Sequence, residues 1–339
     1  MRVLRIGVLI FVSIVLFAFI ESEEDSFNLR IRKEMSVQTD SLLTDVALLS
    51  KLCSVKQFDI EKSKQLLTIC RNRYKRIEAI LIYFFPGEAF RLNKPVIPAI
   101  EEDDEISPPV PYSGFQFIES MLYSDSLAFQ RKQLNNAIDE CYSLISNLPN
   151  AYEQFVFDER SVWEAMQMQL VRQFILGFAE FETPDSKNGV EESIHVLLGF
   201  DELIKTLYHD AGENKKADLN FFFSEIERST NKLKQYSKGS VDYFQFYSEY
   251  YNDLSGSLSK LRDIMLSEKN QYFTTAINFQ NRSIFDPHAF NSYFFLPGKT
   301  HANQKEVAEL GRILFFDPAL SANSLRACAS CHQPEKAFT

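Results

Sequence analysis

The chain has 339 residues, 45% of them apolar and 14% aromatic, with 31 Phe and 14 Tyr against only 11 Gly. That much apolar material supports a packed core and excludes a disordered chain, while scarce glycine speaks for long helices over a turn-rich sandwich or barrel. A net charge of −10 argues against nucleic acid as a partner, since phosphate binding needs a basic surface.

Residues 1–20 read as an export signal. Arg2 and Arg5 give a positive start, and 6–20 is an apolar run broken only by Gly7 and Ser13. Such a run is short for a spanning helix, which needs about 20 residues, and fits the apolar region of a secretory signal. No clear cleavage site follows, because Phe17-Ala18-Phe19 leads at once into Glu21-Ser22-Glu23-Glu24-Asp25. A cleaved signal and a retained anchor through residues 6–20 both stay open. Either way the remainder is expected in the periplasm, with anchoring to the inner membrane as the variant.

Residues 28–272 carry a helical pattern, expected to form an antiparallel bundle of seven or so helices. Pro86-Gly87 should stop one helix, and Pro149 should break another. Between them, 93–112 reads as a surface loop, with five prolines around the acidic run Glu101-Glu102-Asp103-Asp104-Glu105. Residues 162–181 and 190–208 follow as helices, the second the most clearly amphipathic, then 219–236 and 241–266. Cys53, Cys70 and Cys141 sit in apolar helical pattern and read as small buried hydrophobes, with a Cys53–Cys70 bridge conceivable after export. His195 and His209 read as structural side chains.

One stretch of the bundle, Gly114-Phe115-Gln116-Phe117-Ile118-Glu119 followed by Met121-Leu122-Tyr123, resembles the G-x-H-x-x-E region of imelysin-like proteins, exported helical bundles associated with iron uptake. In that pattern a His and a Glu three residues apart share a helix face and could ligate one metal. Here Gln116 replaces the His, and a neutral amide is a poor transition-metal ligand. Gln116 and Glu119 are therefore weak metal candidates, and the plainer reading has them capping or lining the helix.

Residues 273–300 read as an aromatic-rich linker, broken by Asp286-Pro287 and Pro297-Gly298. His288 lies in this stretch, with His301 just beyond it. The next helix should turn Val307, Leu310 and Leu314 inward.

Near the end stands Cys328-Ala329-Ser330-Cys331-His332, and C-x-x-C-H is the attachment signature of a c-type haem. The two thiols can form thioethers to the porphyrin, and the imidazole can ligate the iron. A zinc half-site would need two further ligands, with only His301 close by, and a thioredoxin-like motif would need a βαβ setting that the neighbouring sequence lacks.

The flanks are more specific. Leu310-Gly311-Arg312-Ile313-Leu314-Phe315-Phe316-Asp317-Pro318, then Leu320-Ser321, the motif with Gln333-Pro334, and Ala337-Phe338-Thr339 closely resemble the first haem site of bacterial di-haem cytochrome c peroxidases. The resemblance covers about the last 35 residues. It implies haem c held by Cys328 and Cys331, with His332 as proximal ligand and site of the iron. It implies reduction of hydrogen peroxide with electrons from a small cytochrome c or cupredoxin. The family's second haem c, its calcium and its distal groups lie downstream of the matched positions, so no catalytic acid or base is assigned. Seven residues after His332 cannot enclose a haem, so the fold expected is mainly α. It comprises the bundle (28–272) and the start of a cytochrome c-type haem domain (301–339), truncated here. Two other classes stay open: a non-enzymatic electron-transfer cytochrome, and an iron-binding or scaffold bundle with a haem tail.

Overall fold

The computed structural model describes residues 2–56, 58–97, 112–236, 242–266, 275–278, 283–291, 294, 304–336 and 338. The chain is mainly α and divides into two compact units. One comprises residues 1–273 and 277–290, the other 274–276 and 291–339.

In the first unit, α1 (Arg2–Ser54) is one continuous helix, where the sequence placed a signal segment followed by separate apolar runs. The side chains of 2–25, on which the export reading depends, lie outside the described residues. Among the described residues no helix is long and apolar enough to cross a membrane. From Asn28 onward α1 repeats a buried position every three or four residues: Ile31, Met35, Thr39, Leu42, Val46, Leu49 and Cys53. This stripe packs on α2 (Ile60–Phe84) and α5 (Leu127–Gln154), burying Leu67 and Ile77 of the first and Leu134, Ile138 and Ile145 of the second. Each such side chain contributes about 1.5–3 kcal/mol through its removal from water. The one hydroxyl in the stripe is satisfied, since Thr39 Oγ1 and the buried Tyr152 hydroxyl share a hydrogen bond of 3.1 Å.

Capping carboxylates mark several helix starts. Asp59 accepts from the Lys62 N–H at 3.1 Å to begin α2, and Asp158 accepts from the Ser161 N–H at 2.9 Å to begin α6 (Glu159–Arg172). Pro86 ends α2 as expected, but it also opens the short α3 (Pro86–Leu92), where its missing N–H costs nothing. Pro149 does not break its helix. It lies inside α5, which continues to Gln154, because Ile145, Leu148 and Tyr152 are all buried around it and their packing outweighs the lost backbone bond. α4 (Gly114–Leu122) starts at a backbone φ of +82° pressed against Leu92, and a Cβ at Gly114 would overlap the Leu92 carbonyl oxygen. Only glycine fits both demands.

After α6 the backbone widens into a π-helical turn, Gln173–Gly177, instead of the uninterrupted helix expected to residue 181. A compact turn follows, with Glu180 and Lys187 in the left-handed region at φ 56° and 57°. It leads into α7 (Gly189–Leu207), α8 (Glu213–Gln235), the single turn α9 (Tyr243–Phe246), a second π-helical turn Tyr247–Tyr251 and α10 (Asn252–Met265). α7 packs on both α2 and α8. An isolated antiparallel bridge, Ile277 with Phe290, lies in the same unit. Cys53, Cys70 and Cys141 are buried free thiols, so the Cys53–Cys70 bridge does not form; the Cys53 thiol instead donates to Ser63 Oγ at 3.6 Å. Most of the proline-rich acidic loop lies outside the described residues.

Among its described residues the second unit holds α11 (Gln304–Phe316) and the 3₁₀ turns Pro318–Leu320, Cys328–Ser330 and Pro334–Lys336. Val307 and Leu310 are each about half exposed, against the inward facing that their spacing predicts. Ile313, Phe316, Leu320 and Leu325 are exposed as well, because the described part of this unit has no core to receive them.

Candidate functional site

Asp317 fixes the path into the C-x-x-C-H segment. Extended before Pro318, it accepts from the Ala319 N–H at 2.9 Å and so caps the 3₁₀ turn. Ser321 then closes a loop, its hydroxyl accepting from the Arg326 N–H at 3.3 Å. Asn323 does the same for Leu325 at 3.1 Å, around Ser324 in the left-handed region. Ala327 is extended, and the Ser330 hydroxyl accepts from its N–H at 3.1 Å, which starts the turn holding Cys328.

The Cys328 carbonyl accepts from the N–H groups of both Cys331 and His332, at 3.2 and 2.9 Å. This one turn brings the two thiols and the imidazole together on a short arc, all three exposed and both cysteines free. The His332 ring is also oriented. Its Nδ1 lies 3.0 Å from the Phe338 carbonyl oxygen. An acceptor there calls for a proton on Nδ1 and leaves Nε2 with its lone pair, the form in which an imidazole ligates a metal. Phe338 reaches this position through a left-handed φ of 64°, a bond from its N–H to the Gln333 carbonyl at 2.8 Å, and an edge contact between its ring and Phe315. These residues fit a covalently held haem. Two accessible thiols, one imidazole with a free nitrogen, and exposed apolar side chains such as Leu320, Leu325 and Phe338 are what such a group would engage.

His288 and His301 are the weak candidates for a distal haem ligand. His288 is exposed in the first unit, its N–H bonded to the Asp286 carboxylate at 2.8 Å, and His301 lies outside the described residues.

The second pair singled out from sequence, Gln116 and Glu119, lies on α4 in the first unit and is fully buried. Glu119 is committed to the protein. One oxygen accepts from the Ser186 N–H at 2.6 Å, and the other is 3.6 Å from Arg71 Nη1. Gln116 Nε2 has no hydrogen-bond partner. Among the described residues, no group of three or more His, Cys, Asp and Glu is placed to hold a metal.

Around this pair the fold buries a network that sequence inspection passed over. Arg71 donates to Glu192 at 2.5 Å and to the Glu182 carbonyl at 2.6 Å. Lys75 donates to Glu78 at 2.8 Å and also to Glu182. Arg172 donates to Glu182 at 3.0 Å, and Gln169 to Glu78 at 2.6 Å. Three cations (Arg71, Lys75, Arg172) thus meet four carboxyl groups (Glu78, Glu119, Glu182, Glu192). Burial pushes Glu78 and Glu119 up from the ordinary carboxylate range. Burial acts the same way on Glu182, but Lys75 and Arg172 overcome it and hold that group down. The signal was present in the sequence: Arg71, Lys75 and Glu78 recur at helical spacing on the face that also carries Leu67, Tyr74 and Leu81.

Comparison with known proteins places one of these two regions. Residues 305–339 match the family model of the di-haem cytochrome c peroxidases. Over 33 residues the chain is 58% identical to the methylamine utilization protein MauG of Paracoccus denitrificans (strain Pd 1222). That alignment covers 10% of this chain and 8% of the relative.

Proposed function

We propose that the chain, whose carboxyl-terminal segment is a member of the di-haem cytochrome c peroxidase family, is part of an exported peroxidase and carries the attachment site of its first haem. The substrate is hydrogen peroxide, which takes up two electrons and two protons to give two waters. The electrons come from a small cytochrome c or cupredoxin. Haem, when bound, supplies the redox-active iron for this reaction.

The chain's own residues have binding and orienting roles. Cys328 and Cys331 anchor the group through thioethers, which spares the segment a deep pocket. His332 presents Nε2 as the proximal ligand, and the Phe338 carbonyl holds the Nδ1 proton, fixing tautomer and ring direction and making the imidazole a better donor. Exposed Leu320, Leu325 and Phe338 are apolar surface that the group would cover. No residue of this chain is assigned as general acid or base. The second haem and the calcium known from the family have no counterpart among the matched positions. The electron donor and the periplasmic location belong to the same proposal.

The reading is carried by one observation: the family match at 305–339 coincides with two exposed thiols and an imidazole whose Nδ1 is engaged. The test is production of the full chain in a periplasm equipped for haem c maturation, followed by a haem-stained denaturing gel. Haem should migrate with the parent chain and be absent from a Cys328→Ala, Cys331→Ala double variant. Haem that leaves the parent on denaturation would overturn the assignment.

A further inference from the structure

Phe338 holds a backbone conformation that a bulky residue rarely adopts. Its φ of 64° lies in the left-handed region, where an aromatic side chain is an outlier. Residues held there cluster at functional sites, and the surrounding structure must keep them in place. Two contacts do so. The Phe338 N–H donates to the Gln333 carbonyl at 2.8 Å, the same oxygen that accepts from the Lys336 N–H at 3.0 Å. The Phe338 ring meets Phe315 edge-on, with 5.8 Å between ring centroids and 72° between ring planes. Phe315 sits in the last turn of α11, beside the Cys328 turn, and has a second edge contact with Phe316 at 5.1 Å. A ring carried on a helix is a firmer support than one carried on the short turns around the motif. What these contacts fix is the place of one oxygen, the Phe338 carbonyl, 3.0 Å from His332 Nδ1.

We infer that Phe315 is a positioning residue for His332 and acts through Phe338. Its ring offsets the cost of the left-handed turn, and that turn aims the carbonyl that keeps the imidazole proton on Nδ1. An exposed neutral histidine otherwise prefers its proton on Nε2, which would block the nitrogen a metal needs. Phe315 therefore sets the tautomer before any group is bound. The functional consequence rests on the reading of His332 as proximal ligand. A carbonyl on the Nδ1 proton makes the ring a stronger donor to iron, which lowers the reduction potential of the bound haem. Simple covering of two rings needs neither a left-handed Phe338 nor an oxygen directed at the imidazole.

The chain has five His, so ¹⁵N-histidine labelling gives five pairs of ring signals, and His332→Ala identifies the pair of His332. At about pH 8.5, well above the ordinary histidine value of about 6.5, these signals report which nitrogen carries the proton. In the full chain without haem, His332 should be protonated mainly on Nδ1. Phe315→Ala should lower the ratio of Nδ1–H to Nε2–H by about fivefold or more, the worth of one net hydrogen bond. Phe315→Tyr keeps the ring and should keep the ratio. Adding Phe338→Gly to Phe315→Ala should recover part of it, because glycine takes the left-handed turn without strain. In the chain loaded with haem, Phe315→Ala should raise the reduction potential and Phe315→Tyr should not. The positioning role is refuted if the parent is protonated on Nε2, if Phe315→Ala leaves the ratio unchanged, or if Phe315→Tyr lowers it as far as alanine does. A parent that takes up no haem yet shows the Nδ1–H tautomer would overturn the haem assignment and support the positioning role, so the two fail separately.

Discussion

Replacing Arg71 by Met tests whether the buried network in the bundle is organised as described. Arg71 is 2% exposed and ties together Glu192, Glu119, Asn93 and the Glu182 carbonyl. Met keeps the unbranched apolar stem, though it is shorter, and removes the charge and all the donors. Glu192 and Glu119 are then left without their guanidinium, and breaking a buried pair by removing one partner costs about 3–5 kcal/mol. The Glu182 carbonyl adds about 1–3 kcal/mol as a newly unsatisfied acceptor. For a domain of this size each kcal/mol lowers the melting temperature by about 2–4 °C, so a fall of about 10 °C or more is expected by circular dichroism. The double variant Arg71→Met, Glu192→Met should recover part of the loss, because apolar groups replacing a whole buried pair are often neutral or stabilising. A loss below about 1 kcal/mol in the single variant, or a further loss in the double, would refute the argument that paired charge is held inside this bundle.

His195 provides a pH-dependent test. Burial, reinforced by Arg76, lowers its pKa from 6.5 to about 4. Between those values the unfolded chain binds more protons at this site, so its contribution to stability is present above pH 6.5 and is lost as pH falls toward about 4. In His195→Gln the denaturation midpoint should fall less between pH 7 and pH 5 than in the parent, and an unchanged slope would count against a neutral, half-buried imidazole. Gly114→Ala should lower stability by about 2 kcal/mol or more, since it combines the left-handed penalty with a clash against the Leu92 carbonyl. A melting temperature within 1 °C of the parent, by the same circular dichroism scan, would rule that out. His332→Ala should keep haem on a denaturing gel, as both thioethers remain, but change the Soret band through loss of the proximal ligand. An unaltered spectrum would remove His332 from that role.

The C-x-x-C-H segment was legible because its geometry is local. Two thiols and an imidazole within five positions need only one turn of chain to come together, and the flanks from Leu310 to Phe338 carry the family pattern in linear order. The helical character was legible for a similar reason, since apolar spacing along α1, α2 and α7 reflects a repeat that each helix displays by itself. Boundaries were less so. Pro149 breaks an isolated helix, but here it is outweighed by the burial of Ile145 and Tyr152, which no local pattern states.

Sequence alone therefore determined that Cys328, Cys331 and His332 share one short turn and that the chain is mainly α. Tertiary structure alone decided what lies inside it. Arg71 and Lys75 come from one helix, Glu119 from a second, Glu182 from a turn and Glu192 from a third helix, and up to 121 residues separate partners that touch. Each of these charges is ordinary on a solvated helix face, and only when their faces pack together do they lose water and need one another. The Phe338 carbonyl on His332 Nδ1 belongs to the same class at short range. A backbone oxygen carries no sequence signature, and only the left-handed turn at Phe338 aims it at the ring.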